Sequence, residues 1–222
     1  TLFTTTPGEA WSVHGQLLVA LGRPDEAVET QRRVTRQDPL SIGAAAMLQY
    51  NLDCAGRSRE AEAEYFASYD LPGGKDYLNW IAVLRKAGPD EPAGFKERFI
   101  ASFGAGQARF TTSATIFPWL AGLGAVLDQP DQALAVLQSV YKEHENDPAS
   151  PTEALAGLAS YFGDRDFAFA AIERDLVRRH SINVQFLWHP LLGALRRDAR
   201  FKQILIDIGL VDRWRKTGEW AS

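Results

Sequence analysis

The 222-residue chain has a formal charge of −4 and is 45% hydrophobic and 23% charged, the balance of a chain that folds rather than one that stays disordered. Its acidic balance, with no run of five or more lysines and arginines, speaks against direct nucleic-acid binding, which needs a basic face to displace phosphate counterions. One cysteine, Cys54, allows neither an internal disulfide framework nor a thiolate metal site and suits a reducing compartment, so a cytoplasmic location is expected. No apolar run of 18 residues and no leader pattern is visible, so no membrane insertion by this segment is expected.

Residues 1–7 are rich in β-branched threonine and end in Pro7, which biases the preceding residue away from helix; they are expected to form a lead-in. The chain begins with Thr1 while a repeat pattern already runs from Gly8, as expected of part of a longer protein. From Gly8, Ala10, Trp11, Leu17, Leu18 and Leu21 follow a helical period that stops at Gly22. Pro24 and Asp25 suit the first turn of a second helix, and Asp38-Pro39 ends it. Blocks like Gly22 to Ala27 return at Gly56 to Ala61, Gly88 to Ala93, Asp128 to Ala133 and Gly163 to Ala168. Their closing alanines are 34, 32, 40 and 35 residues apart, a spacing that marks an array of helical repeats.

The block Ala10-Trp11, Gly15, Leu17-Leu18, Gly22, Ala27, Asp38-Pro39 resembles a tetratricopeptide repeat, with His14 in place of the family's usual leucine. Small residues such as Gly15 and Ala27 are needed where two antiparallel helices approach closely. The resemblance implies an all-α, right-handed α-solenoid of about five helix pairs over residues 8–183, with a C-terminal helical cap over 184–222.

The second pair spans Ile42 to Gly56 and Arg57 to Tyr69. A break at Leu71-Pro72-Gly73-Gly74 precedes a third, with Trp80 in its first helix and its second running to about Phe103. In the fourth pair, Thr111 to Leu127, Pro118 sits either in the first turn or at a kink and leaves the register of Trp119 open; Asp131 to about Glu145 follows. The fifth pair is Thr152 to Phe162 and Asp166 to about Arg179. The tail, with His189-Pro190-Leu191, Leu195-Arg196, Asp198, Arg200-Phe201, Gly209-Leu210, Asp212, Trp214, Gly218 and Trp220, resembles the end of tetratricopeptide arrays found in bacterial winged-helix transcription regulators and adenylate cyclases. It is expected to cover the exposed face of the last repeat.

Candidate chemistry is sparse. Gly73-Gly74-Lys75 lacks the glycine and the hydroxyl residue of a phosphate loop, and Gly104-Ala105-Gly106 lacks the third glycine and the preceding strand of a dinucleotide site. His14, His144, His180 and His189 form no helical ligand pair, and Glu143, Glu145 and Asp147 read as a solvated helix end. No catalytic residue, metal or cofactor is expected, and Trp11, Trp80, Trp188, Trp214 and Trp220 read as packing residues.

Family geometry instead points to a concave wall formed by the outward positions of each first helix. It includes Gln16 and Val19, then Ala46, Tyr50 and Asp53, then Arg85 and Lys86, then Tyr161. Gln16, Tyr50, Asp53, Arg85, Lys86 and Tyr161 are the partner-binding candidates, since aromatics and arginine dominate binding hot spots. The alternative at each is a wall that faces water. A clamp for a peptide's terminal carboxylate is absent, because Ser12, Gln16, Ala46 and Tyr50 do not supply its lysine and asparagine. The expected function is a non-enzymatic interaction or regulatory module, binding a protein or peptide or self-associating, within a larger bacterial signalling or transcription-regulatory protein. A small-effector sensor and the regulatory segment of a nucleotide cyclase are the alternatives.

Overall fold

Gly22, Gly56 and Gly163 stop three helices in the same way. Each takes a positive φ, of 77°, 71° and 88°, and each ends its helix with a paired backbone hydrogen bond. The N–H of Gly22 donates to Val19 and that of Arg23 to Leu18; Gly56 donates to Asp53 and Arg57 to Leu52; Gly163 donates to Ser160 and Asp164 to Ala159. This double bond satisfies carbonyls that the helix end leaves unpartnered, and glycine is the residue that enters the left-handed region without a Cβ penalty. A Cβ at Gly56 would meet nothing within 4 Å, so only backbone conformation opposes a side chain there. Gly56→Ala is expected to cost about 1 kcal/mol in urea denaturation. No measurable change would mean that this helix ends otherwise.

The computed structural model describes residues 7–69, 119, 123, 126, 128–147 and 151–219. The third repeat expected from the sequence, with Arg85 and Lys86, and most of the fourth pair's first helix lie outside these residues. Among the described residues the chain is all-helical, with nine α-helices and no strand. It divides into two units: one holds residues 1–75, 182–193 and 205–222, the other 76–181 and 194–204.

The first unit contains α1 (Pro7–Ala20), α2 (Pro24–Gln37), α3 (Ile42–Cys54) and α4 (Ser58–Tyr69). Each packs on the next, and α1 also touches α3. Pro24 opens α2 with Asp25 and Glu26 in its first turn, while the Ser41 hydroxyl caps α3 by accepting from the Ala44 N–H at 3.2 Å. Val28, Leu48, Leu52 and Ala61 pack together between the helices. At the α1–α2 crossing, a Cβ on Gly15 would lie 3.3 Å from the Asn51 amide nitrogen. That Asn51 amide donates to the Ala27 carbonyl at 3.3 Å, and the Gln31 amide donates to the Ala44 carbonyl at 3.1 Å. Both side chains are fully buried, so these bonds tie α2 to α3 where burial without partners would be costly.

A charged lattice covers the surface of α2 and α4. Arg57 grips Glu60 at 2.7 and 2.8 Å, Arg32 reaches Glu60 from α2 at 2.6 Å, and Arg23 holds Glu26 as Arg57 holds Glu60. Hydrogen bonds from these arginines keep the Glu26 and Glu60 carboxyls below the usual carboxylate range. Being exposed, such pairs contribute little to stability.

The second unit contains α5 (Pro130–Glu143), α6 (Thr152–Tyr161) and α7 (Arg165–Ile172), which continues as a π-helical segment from Glu173 to Arg178. Leu137, Leu155, Leu158, Ala168, Ile172 and Leu176 are among its buried core residues. Trp119, whose register the sequence leaves open, is 9% exposed and Leu123, one helical turn on, is fully buried. Arg174 lies over the Tyr141 ring, 3.5 Å from its centroid, and donates to the Tyr141 carbonyl at 2.6 Å. Arg179 donates to the carbonyls of His144, Glu145 and Asp147. Together these cations close the C-terminal end of α5, where helix carbonyls lack intrahelical donors and the dipole favours positive charge. Burial lowers the pKa of Arg174 and raises that of Asp175, against the pull of the Ser181 hydrogen bond and of Arg179 and Arg174.

The tail expected to act as one cap divides between the units. Residues 194–204 belong to the second, where Arg200 bonds Asp166 at 2.6 Å and Asp198 at 3.1 Å, lies over Phe169, and Asp198 also takes Arg165 at 3.2 Å. Residues 182–193 and 205–222 belong to the first. They comprise the 3₁₀ turns Val184–Trp188 and Pro190–Leu192, and α9 (Leu210–Thr217), which follows α8 (Ala199–Asp207).

Candidate functional site

The side of the first unit formed by α1 and α3 is where the sequence places Gln16, Val19, Ala46, Tyr50 and Asp53. Gln16 and Met47 meet there, the amide 3.7 Å from the Met47 sulfur, and Gln16, Met47, Tyr50 and Cys54 are all half-buried. Tyr50 and Cys54 pack on a cluster of Leu18, Val19 and Ala27.

The tail supplies the other half of this surface. Trp188 joins the same cluster, its indole N–H donating to the Ala20 carbonyl at 3.4 Å. His189 stacks on Tyr50, with ring centroids 5.9 Å apart and planes 29° from parallel. Trp214 of α9 donates to the Leu21 carbonyl at 3.0 Å, and Leu210, Val211 and Trp214 pack with Leu21, Val184 and Trp188. An exposed ion pair, Arg23 with Glu219 at 3.2 Å, adds to the contact. The two indoles therefore bond the carbonyls at the end of α1, which the helix itself leaves without donors.

His189 is 3% exposed, and its Nδ1 accepts from the Leu191 N–H at 3.2 Å. That bond places the neutral ring's proton on Nε2 and begins the turn at Pro190, where the missing proline N–H is no loss. Sequence and structure agree that Trp188 and Trp214 are packing residues. Trp188 packs on Leu18, Val19 and Ala27, and Trp214 beside Leu21 at the end of α1.

The partner-binding candidates are thus placed differently from one another. Gln16 and Tyr50 share the α1–α3 wall, Tyr50 beneath His189. Asp53 is 1% exposed, so its carboxylate is not offered to solvent, a correction to its expected place on an open wall. Val19 and Ala46, also expected to face outward, are 0% and 7% exposed. Tyr161 lies in the second unit, edge-on to Phe162 at 5.1 Å, its hydroxyl pKa raised by burial. Arg85 and Lys86 lie outside the described residues. Met47, Cys54, Trp188 and His189 were not among the candidates. The one sequence signal for the last two was the concentration of large apolar residues in Phe186-Leu187-Trp188-His189-Pro190-Leu191-Leu192, more than a polar-faced cap requires.

Among the described residues no cluster of three or more histidines, cysteines, aspartates or glutamates could hold a metal, and no helix is long and apolar enough to cross a membrane. Compared with family models, with curated proteins and with solved structures, the chain matches none.

Proposed function

We propose that this chain is a non-enzymatic interaction module of tetratricopeptide type, which takes a protein or peptide on the wall of its first helices. The observation that carries the reading is the α1–α3 wall itself. Gln16 and Met47 lie side by side and half-exposed, offering an amide and an adaptable thioether beside the edge of the half-buried Tyr50. The recurring glycine stops and the buried alanines of Ala27, Ala61, Ala133 and Ala168 support a stack of helix pairs, in which such a wall repeats from pair to pair. The tail's resemblance to arrays of bacterial winged-helix regulators and adenylate cyclases supports a place in a larger signalling or transcription-regulatory protein.

Affinity capture with the chain as bait, against Gln16→Glu/Met47→Glu matched for helicity and melting, tests the site. A partner retained by the unmodified chain and depleted at least tenfold by the double variant supports it. Equal retention moves the site off this wall, and no retained partner sinks the reading.

A further inference from the structure

We infer that the outer face of α1, around Val13 and Leu17, is a second docking surface of this chain, and that its ligand is an amphipathic α-helix of a partner protein, laid on α1 as α2 lies on α3. Neighbouring residues point about 100° apart around a helix, so Leu17 does not share the face of Gln16. The surface is separate from the α1–α3 wall.

The repeat itself says what covers such a face. Positions 34 residues apart correspond, as Ala27 does to Ala61, and Gly22 and Gly56 both take a positive φ. By that spacing His14, Leu17 and Leu21 answer to Leu48, Asn51 and Ala55. Around α3 this stripe lies against α2. Leu48 belongs to the cluster that holds Val28 of α2, with Ala55 packed on it, and the Asn51 amide donates to the Ala27 carbonyl. Leu48 and Asn51 are 2% and 0% exposed. On α1 the corresponding positions are open. His14 is exposed, Leu17 is 54% exposed, and Val13, one turn before it, is 64% exposed. Two aliphatic side chains four residues apart have the spacing of helix-to-helix anchors.

A helix already closes one end of this stripe. Leu21 lies with Leu210, Val211 and Trp214 of α9, where its counterpart Ala55 lies on the cluster of Val28. The charges correspond as well. Arg57 reaches Asp25 in the first turn of α2 at 3.7 Å, and its counterpart Arg23 reaches Glu219, just beyond α9, at 3.2 Å. At the end of α1, α9 therefore stands where α2 stands at the end of α3. It has eight residues against fourteen in α2, and Val13 and Leu17 remain outside its cover. A helix seated on them continues the α9 contact along α1. Leu17 cannot donate the hydrogen bond that Asn51 makes, so the face that meets it is aliphatic, as Val28 is in α2.

The probe is a peptide copying α2, residues 24–37, stapled through Glu29 and Arg33, both exposed in α2, because so short an isolated helix is marginal in water. It is titrated into the isotope-labelled full chain while backbone amide shifts are followed by nuclear magnetic resonance. Saturable shifts at Val13, His14 and Leu17 are expected, with an affinity reduced about tenfold or more by Leu17→Glu and unchanged by Met47→Glu. Circular dichroism of both variants checks that they fold. Shifts centred on Gln16 and Met47, lost in Met47→Glu, overturn the inference and support the wall. Shifts spread along α3 mean that the peptide takes the place of α2 itself, and they overturn it too. No saturable shift up to about 1 mM peptide overturns it without touching the wall reading.

Discussion

Replacing Trp214 by alanine is expected to destabilise the chain by about 3–5 kcal/mol, the range for deleting a large buried aromatic. Trp214 is 5% exposed. Its ring lies 6.2 Å from that of Trp188, and with Leu210 and Val211 it joins α9 to Leu21 at the α1–α2 corner. The side chain does two jobs, filling space and donating to the Leu21 carbonyl. Trp214→Phe separates them. It retains most of the apolar contact and loses the donor, so it is expected to cost less, about 1 kcal/mol for the hydrogen bond and a few tenths more for the smaller ring. Urea denaturation followed by far-ultraviolet circular dichroism measures both. A Trp214→Ala cost below 1 kcal/mol would mean that α9 is not docked on this corner.

The helix stops were legible in the sequence because they are local. A glycine followed by an N-terminal turn of the next helix has one backbone solution, and Gly22, Gly56 and Gly163 adopt it with the same pair of hydrogen bonds. Ala27, Ala61, Ala133 and Ala168 were legible for a related reason. Each is fully buried, and only a small side chain allows two helix backbones that close. What lay outside the sequence's reach was the state of the wall. Val19 lies beneath Trp188, more than 130 residues away in the chain, and no local period encodes a contact of that span. The buried neighbours Arg174 and Asp175 were missed for the same reason. Arg174 is held by both the ring and the carbonyl of Tyr141 on another helix, and Asp175 by Ser181 with Arg179 and Arg174 nearby.

The register of α1 shows how far a period can mislead, and it sets the second large prediction. Leu17 and Leu18 both fit a helical stripe, but adjacent residues point about 100° apart around a helix, and the period alone does not say which of them faces the neighbouring helices. In the structure Leu18 and Val19 are 6% and 0% exposed, while Leu17 and Val13, one turn apart on another face, are 54% and 64% exposed. Leu52 of α3, by contrast, is 1% exposed and packs with Val28, Leu48 and Ala61. Leu52→Ala is therefore expected to cost about 2–5 kcal/mol through lost burial and the cavity left behind. Leu17→Ala is expected to change stability by no more than about 0.5 kcal/mol, since alanine's higher helix propensity offsets what little burial is lost. Measured side by side by urea denaturation, the pair tests the register rather than hydrophobicity, because the same chemical change is made at both sites. A cost at Leu17 approaching that at Leu52 would mean that the outer face of α1 is covered in solution, and that the stripe expected from the sequence describes its buried side after all.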